Sequence, residues 1–420
     1  MFERLMAHID PAPFVTRRVL QNSGLVQLPV PGKREFWAVS DPRLLRTVLH
    51  AEAHKFDKGG PLYGAIRQAL GNDGLFTVND DALRMSLRQV MGASFGVEAQ
   101  PMVALATSEA LALRLEHWHG SCTDMFQEFK WVTTSALLSH LLGERQADTR
   151  VMMGLARPVF EHMATRVFLP QWLPGAASYR HAIEALDAEL GALVARRKQQ
   201  PYGSDMLSAL LMAQSERQLF TDRQIRDQVF TMLMAGFDST AVALAWAGLY
   251  LAENPGMRAK LRKEVLEVTQ GNPLNYSDLA KLKMLGSFFQ SVLHKHPSFP
   301  LYFRNVNQPV LLGSRLLQPG TQLLVAPHAA HRDPGYWPDQ KVGISQFMGR
   351  LAEDRRYTHL PFGRGPRHCI GEQTATTSFM LVIGTMLAHF EHWERPARNG
   401  GFKAIYAMTR PPADSRLVLD

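Results

Sequence analysis

The sequence predicts a mainly α-helical fold with small β-sheets, and three stretches carry that expectation. From Thr221 to Glu253 no proline interrupts an apolar pattern, which gives one helix of about 30 residues, roughly 45 Å long at 1.5 Å per residue. Leu316 to Val325 is apolar on both sides of Pro319-Gly320 and predicts a hairpin with its turn at that pair. Near the C-terminus, Pro361-Phe362-Gly363-Arg364-Gly365-Pro366-Arg367-His368-Cys369-Ile370-Gly371 sets one cysteine in a glycine-rich loop that runs into an apolar helical stretch.

The 420 residues are 46% hydrophobic and 20% charged, enough apolar surface to bury a large core and too little charge for a disordered chain. No Pro/Gly/Ser-rich linker, charge block or internal repeat divides them, so a single domain over 1–420 is expected. The longest apolar run, Ala241 to Ala252, falls short of the roughly 20 residues a bilayer span requires. Glu3 and Arg4 stand where a signal peptide needs apolar residues. A cytoplasmic location is therefore expected, and two cysteines without partners suit it. The formal net charge of +8 is modest for this length. Without a basic tail or aromatics interleaved with lysines, it argues against nucleic acid as a partner.

The long helix opens with Thr221-Asp222-Arg223-Gln224, the form of a capping box. Its middle reads Ala235-Gly236-Phe237-Asp238-Ser239-Thr240. A glycine inside a helix costs up to about 1 kcal/mol relative to alanine, and neighbouring hydroxyls bond back to carbonyls and distort the turn. Together they predict a local opening.

In the cysteine loop, Cys369 is expected at the start of the following helix, where backbone N–H groups and the helix dipole stabilise a thiolate. Glycines 363, 365 and 371 are expected to take positive φ and let a flat cofactor approach closely. Phe362 is placed to shield the sulfur. Two cysteines cannot build a multi-cysteine zinc or iron–sulfur site, which leaves a single axial thiolate on haem iron. Cys122 is expected to be a buried free cysteine.

From Phe362 to Gly371 the chain resembles the cytochrome P450 haem-thiolate family, whose loop reads Phe-x-x-Gly-x-Arg-x-Cys-x-Gly. The match is complete. The resemblance implies a P450-like fold with haem b held between a long central helix and the cysteine-loop helix. It makes Cys369 the iron ligand, with Phe362, Gly371 and Ala235 bordering the haem. Arg88, Arg304 and Arg367 become partners of the haem propionates, Arg being suited to bidentate carboxylate recognition. Asp238 becomes the acid and Ser239 the alcohol of a proton relay, with Thr240 behind them. Met234, Phe237, Phe299 and Leu301 take substrate-wall positions, for which core packing is an equal account.

The implied activity is monooxygenation of an apolar small molecule, by hydroxylation, epoxidation or coupling, using O2. No flavin, nicotinamide or iron–sulfur fingerprint is present, so ferredoxin and its reductase are expected as separate proteins. Arg350, Arg355, Arg356 and Arg364, faced by only Glu353 and Asp354, form a basic cluster that is either a solvated loop face or a docking patch for an acidic electron carrier. The alternative function is a non-catalytic accessory protein of the same fold.

Departures from the family pattern are also legible. Ser239 stands for threonine and lacks the methyl that restricts χ1. Arg84 replaces an aromatic or histidine. Ser291 and His294 replace the Glu-x-x-Arg pair, and Gln346 a third arginine. Joint loss of a buried ion network is tolerated better than loss of one member. A weaker hydrogen-bonded set of Ser291, His294 and Gln346 is expected there, with His294 and His296 as satisfied structural histidines. His331-Arg332-Asp333-Pro334 matches the family's loop after the predicted hairpin.

Overall fold

A computed structural model describes residues 11–29, 35–144, 149–165, 176–338, 343–348, 356–396, 412 and 414–420. The chain divides into two compact units, each assembled from segments distant in sequence. Unit one holds residues 1–65 and 287–369 together with a short C-terminal piece; unit two holds 66–286, 370–402 and 412–420.

Unit one is built on a five-stranded sheet. Its order is Leu25–Leu28, Phe36–Val39, Gln322–Val325, Tyr302–Val306, Phe56–Asp57. Phe36–Val39 runs parallel to Gln322–Val325, pairing Phe36 with Gln322, and the other neighbours are antiparallel. Gln322–Val325 is central and buried along its whole length, as a strand covered on both faces must be. Val39, Leu45, Leu49, Phe56, Val306, Leu323 and Val325 share one core with Leu360, which leads into the cysteine loop.

The hairpin lies elsewhere than expected. Pro319-Gly320 does form a turn, with Gly320 at φ +91° and Thr321 N–H on Gln318 O at 3.1 Å. The strands on its two sides do not pair, however. Arg315–Leu317 pairs back onto Val310–Leu312, Leu312 opposite Arg315, around Gly313 at φ +62°. A glycine in the left-handed region at the first position of a two-residue loop is what such a hairpin needs. Residues 60–70 form the helix Gly60–Leu70.

Unit two is helical. Its centre is the helix Asp222–Glu253, whose Thr221/Gln224 capping box is formed in both directions. Twenty of its 32 residues are buried. It packs on Met125–Leu142 and on Glu372–His389, and Gln100–Leu115 packs on both of those helices. Gly236 is explained by close approach. A Cβ there would lie 2.2 Å from Leu137 Cδ1, so the glycine lets two helices touch. This helix is long and apolar enough to cross a membrane, but 72% of its most apolar window is buried inside the protein. A three-stranded sheet, Thr123–Asp124, Arg416–Leu419 and Trp393–Glu394, closes one edge of the unit.

Candidate active site

The long helix turns one narrow face away from its neighbours. Between 231 and 240 six residues are buried, yet Ala235 is exposed and Gly236, Ser239 and Thr240 are half-buried. Residues 235 and 239, and 236 and 240, are spaced to lie above one another, so these small side chains make one continuous strip. Ser239 Oγ donates to Ala235 O at 2.9 Å. The back-bond is the one expected, but it does not open the helix, which runs without a break from Asp222 to Glu253.

Asp238 points the other way. It is buried with Lys130 of the helix Met125–Leu142, Nζ to Oδ1 2.7 Å, with side-chain exposures of 3% and 8%. The Lys130 ammonium also sits 4.0 Å from the Phe237 ring centroid and 5.3 Å from that of Phe126. Phe237 packs against Phe160 with centroids 5.8 Å apart. Phe237 and Met234 are thus core residues, 1% and 3% exposed.

In unit one, the Cys369 thiol is exposed, and the residue's N–H donates to Phe362 O at 2.9 Å, which folds the loop back on itself. Gly363 and Gly365 take φ +67° and +73°. A Cβ on Gly365 would lie 1.7 Å from Leu49 O, so only glycine fits. The Phe362 ring lies against Phe289, centroids 6.3 Å apart. Two expectations change. Gly371 has φ −90°, a conformation open to any residue, because it serves as the N-cap of the helix. The helix starts at Glu372, so Cys369 precedes its first turn rather than occupying it.

Arg304 lies buried on Tyr302–Val306, with Nη1 donating to Phe303 O at 2.8 Å and its guanidinium 5.0 Å from the Tyr302 ring centroid. Arg367 ends the turn Gly365–Arg367 and is half-buried. Leu301 is buried and Phe299 half-buried just before that strand. Arg88 is half-buried on Asp81–Gly92 of unit two, where Arg84 is spent on Asp81 at 2.9 Å.

These residues fit the expected haem. The donor set is one accessible thiol, presented by a loop in which glycine keeps a Cβ out. Tyr302 Oη and Arg364 Nε are buried without a hydrogen-bond partner among the described residues, polar groups suited to a ligand. Burial raises the Tyr302 phenol to about 12, so it stays a neutral donor.

Several expectations are corrected. Cys122 is exposed, because it sits in the turn between Trp118 and the strand Thr123–Asp124. The hydrogen-bonded set of Ser291, His294 and Gln346 does not close: His294 Nδ1 and Gln346 Oε1 are buried without partners among the described residues. His294 instead gathers with His331 and His359. Of the basic cluster, Arg350 and Arg355, with Glu353 and Asp354, lie outside the described residues, and Arg356 and Arg364 are half-buried. Sequence reasoning missed Lys130. Its signal is a lysine set among Phe126, Phe129, Val132, Thr133 and Thr134 on a largely apolar helix, a charge that demands a buried acid.

The family model described as cytochrome P450 matches residues 17–404. Cyclooctatin synthase of Streptomyces melanosporofaciens is 30% identical over 379 residues, covering 86% of this chain and 81% of that protein. Pentalenene oxygenase of Streptomyces avermitilis is 29% identical over 377 residues, covering 83% and 80%. A crystal structure of the cytochrome P450DA heme domain superposes with a TM-score of 0.87 at 23% identity, covering 98% of this chain and 93% of that one.

Proposed function

Because this chain belongs to the cytochrome P450 family, we propose that it oxidises an apolar small molecule of natural-product metabolism, by hydroxylation, epoxidation or oxidative coupling. It is a P450 monooxygenase with haem b as cofactor. When bound, the haem supplies reductive activation of O2, and thiolate donation favours O–O cleavage. Cys369 would hold the iron, and Arg88, Arg304 and Arg367 the propionates. Phe362, Gly371 and Ala235 would border the ring.

The other steps belong to the protein. Ser239, half-buried on the strip with its hydroxyl donating to Ala235 O, is the alcohol that would accept a proton and pass one on. Asp238 is engaged by the Lys130 side chain and would serve as acid only after that pair loosens. Thr240, half-buried on the same strip, is the second hydroxyl available. Leu301 and Phe299 offer apolar wall to the substrate. The names of the two Streptomyces relatives support an apolar product of secondary metabolism over a polar metabolite. Electrons would come from ferredoxin and its reductase, and a cytoplasmic setting accords with the burial of the one helix long enough to span a bilayer among the described residues. The chain would act as a single P450-like domain.

The accessible Cys369 thiol in its glycine-shaped loop carries this reading. Reduced protein treated with carbon monoxide should show a red-shifted Soret band that Cys369→Ala abolishes. Turnover of apolar natural-product intermediates should require O2, ferredoxin and reductase. A wild-type band without the shift, or one unchanged in Cys369→Ala, would refute the assignment. Turnover with peroxide but not with reduced ferredoxin would refute the proposed partners.

A further inference from the structure

His294, His331 and His359 converge from three separate segments of unit one: the helix Lys283–Lys295, the residue after the short helix Pro327–Ala330, and the stretch leading into the cysteine loop. One ring nitrogen from each lies within 4.8 Å of the others, and all three residues are buried. The ring centroids are 4.9, 5.1 and 5.6 Å apart. Trp337 and Phe347, both buried, stand against His294 at 4.3 and 5.7 Å and keep water out.

The hydrogen bonds fix the tautomers of His359 and His331. His359 Nε2 lies 2.9 Å from Gln290 Oε1; a carboxamide oxygen only accepts, so the proton is on Nε2 and the lone pair on Nδ1. That Nδ1 is buried and has no partner among the described residues, and neither does His294 Nδ1. His331 accepts Leu360 N–H on Nε2 at 2.9 Å, so its Nδ1–H donates to His294 O at 3.0 Å. Two unpartnered ring nitrogens in one dry pocket are costly, and a third lies close by on a replaceable bond. Burial, with the Arg332 and Lys295 charges near His294, holds that imidazole down to about 3, and His331 and His359 are lowered likewise, so all three are neutral at pH 7.

We propose that His294, His331 and His359 bind a zinc-class divalent cation that staples the segment entering the cysteine loop to the helix Lys283–Lys295. Neutral imidazoles without carboxylate or thiolate select zinc and its transition-metal neighbours over calcium or magnesium. Zn–N bonds of about 2.0 Å in a tetrahedral set place ligand nitrogens about 3.3 Å apart, so nitrogens that now lie within 4.8 Å of one another must close by up to about 1.5 Å. His331 Nε2 gives up Leu360 N–H to take part. Gln290 is the orienting partner that metal-bound histidines ordinarily have on their second nitrogen. A staple at this point adds a tie to the helix that carries Ser291 and His294, where the Glu-x-x-Arg pair is missing.

The test uses untagged holoenzyme, equilibrated with zinc sulfate, dialysed against metal-free buffer and analysed for metal by mass spectrometry. About one zinc per chain is expected in the wild type, with at least a tenfold loss in His294→Ala and in His359→Ala. Gln290→Leu keeps every ligand and should retain zinc 10–100-fold less tightly. His296→Ala, outside the group, should match the wild type. Less than about one zinc per ten wild-type chains, or equal retention in wild type and Gln290→Leu, overturns the proposal even if the histidine variants fail to fold.

Discussion

Lys130 and Asp238 form a buried ion pair, 2.7 Å between Nζ and Oδ1, that joins the Met125–Leu142 helix to the middle of the long helix. The pair holds the acid of the proposed relay on Lys130 and away from the open strip that carries Ser239.

Removing one partner strands the other. Lys130→Met should cost about 3–5 kcal/mol in urea unfolding, and Asp238→Asn a comparable amount, because a lone buried charge remains in each. The double variant should recover most of that loss, since neither charge then remains. Turnover separates the roles: Asp238→Asn should lower it by about 100-fold or more, the range of a lost proton donor. If the double variant is as unstable as the sum of the singles, the pair is not coupled as the geometry requires.

Gly236 is held by contact with Leu137 rather than by any opening of the helix. Gly236→Ala gains up to about 1 kcal/mol of helix propensity, but its methyl would lie 2.2 Å from Leu137 Cδ1. Overpacking of this kind costs about 1–3 kcal/mol, so a net loss of roughly 1 kcal/mol is expected. Leu137→Ala in the same chain should turn the glycine substitution from harmful to neutral or favourable, which a double-mutant cycle by thermal unfolding measures.

What the sequence disclosed followed range. The Thr221/Gln224 capping box closes over three residues and was readable directly, as was the cysteine loop, whose glycines and N–H bond from Cys369 to Phe362 act within ten positions. The Pro319-Gly320 turn was also local and correct. The partner of the strand after it was not, because Gln322–Val325 lies beside Phe36–Val39, a contact settled by burial across the whole sheet. Lys130 with Asp238, and the three histidines, depend on the same long-range packing. Ser291, His294 and Gln346 showed what the chain had lost, but only His331 and His359 in space show what stands there now.

Gly365 has no tolerable replacement. At φ +73° an alanine pays about 1–2 kcal/mol for the left-handed backbone, and its Cβ would meet the main-chain oxygen of Leu49 at 1.7 Å, which cannot swing aside as a side chain would. Gly365→Ala should therefore displace the loop before Cys369 and lower the haem-to-protein ratio on purification. Far-UV circular dichroism should stay near wild type, since the helices of unit two do not depend on this contact. Full haem content in the variant would mean that the loop geometry is not what retains the cofactor.

His140 sets a limit on acid stability. Its Nδ1–H donates to Ala136 O at 3.1 Å, and its Nε2 is buried with no partner among the described residues, although the residue as a whole is half-buried. Burial lowers its pKa from 6.5 to about 4. The folded state therefore binds fewer protons than the unfolded state between these values, and stability falls as pH drops below about 6.5. The slope is about 1.4 kcal/mol per pH unit for one histidine, and the loss reaches roughly 3 kcal/mol near pH 4. His140→Leu removes the titrating group and keeps the packing, so its urea midpoint should fall less than that of the wild type between pH 7 and pH 5. Parallel pH dependences for the two proteins would show that His140 protonates without unfolding the helix around it.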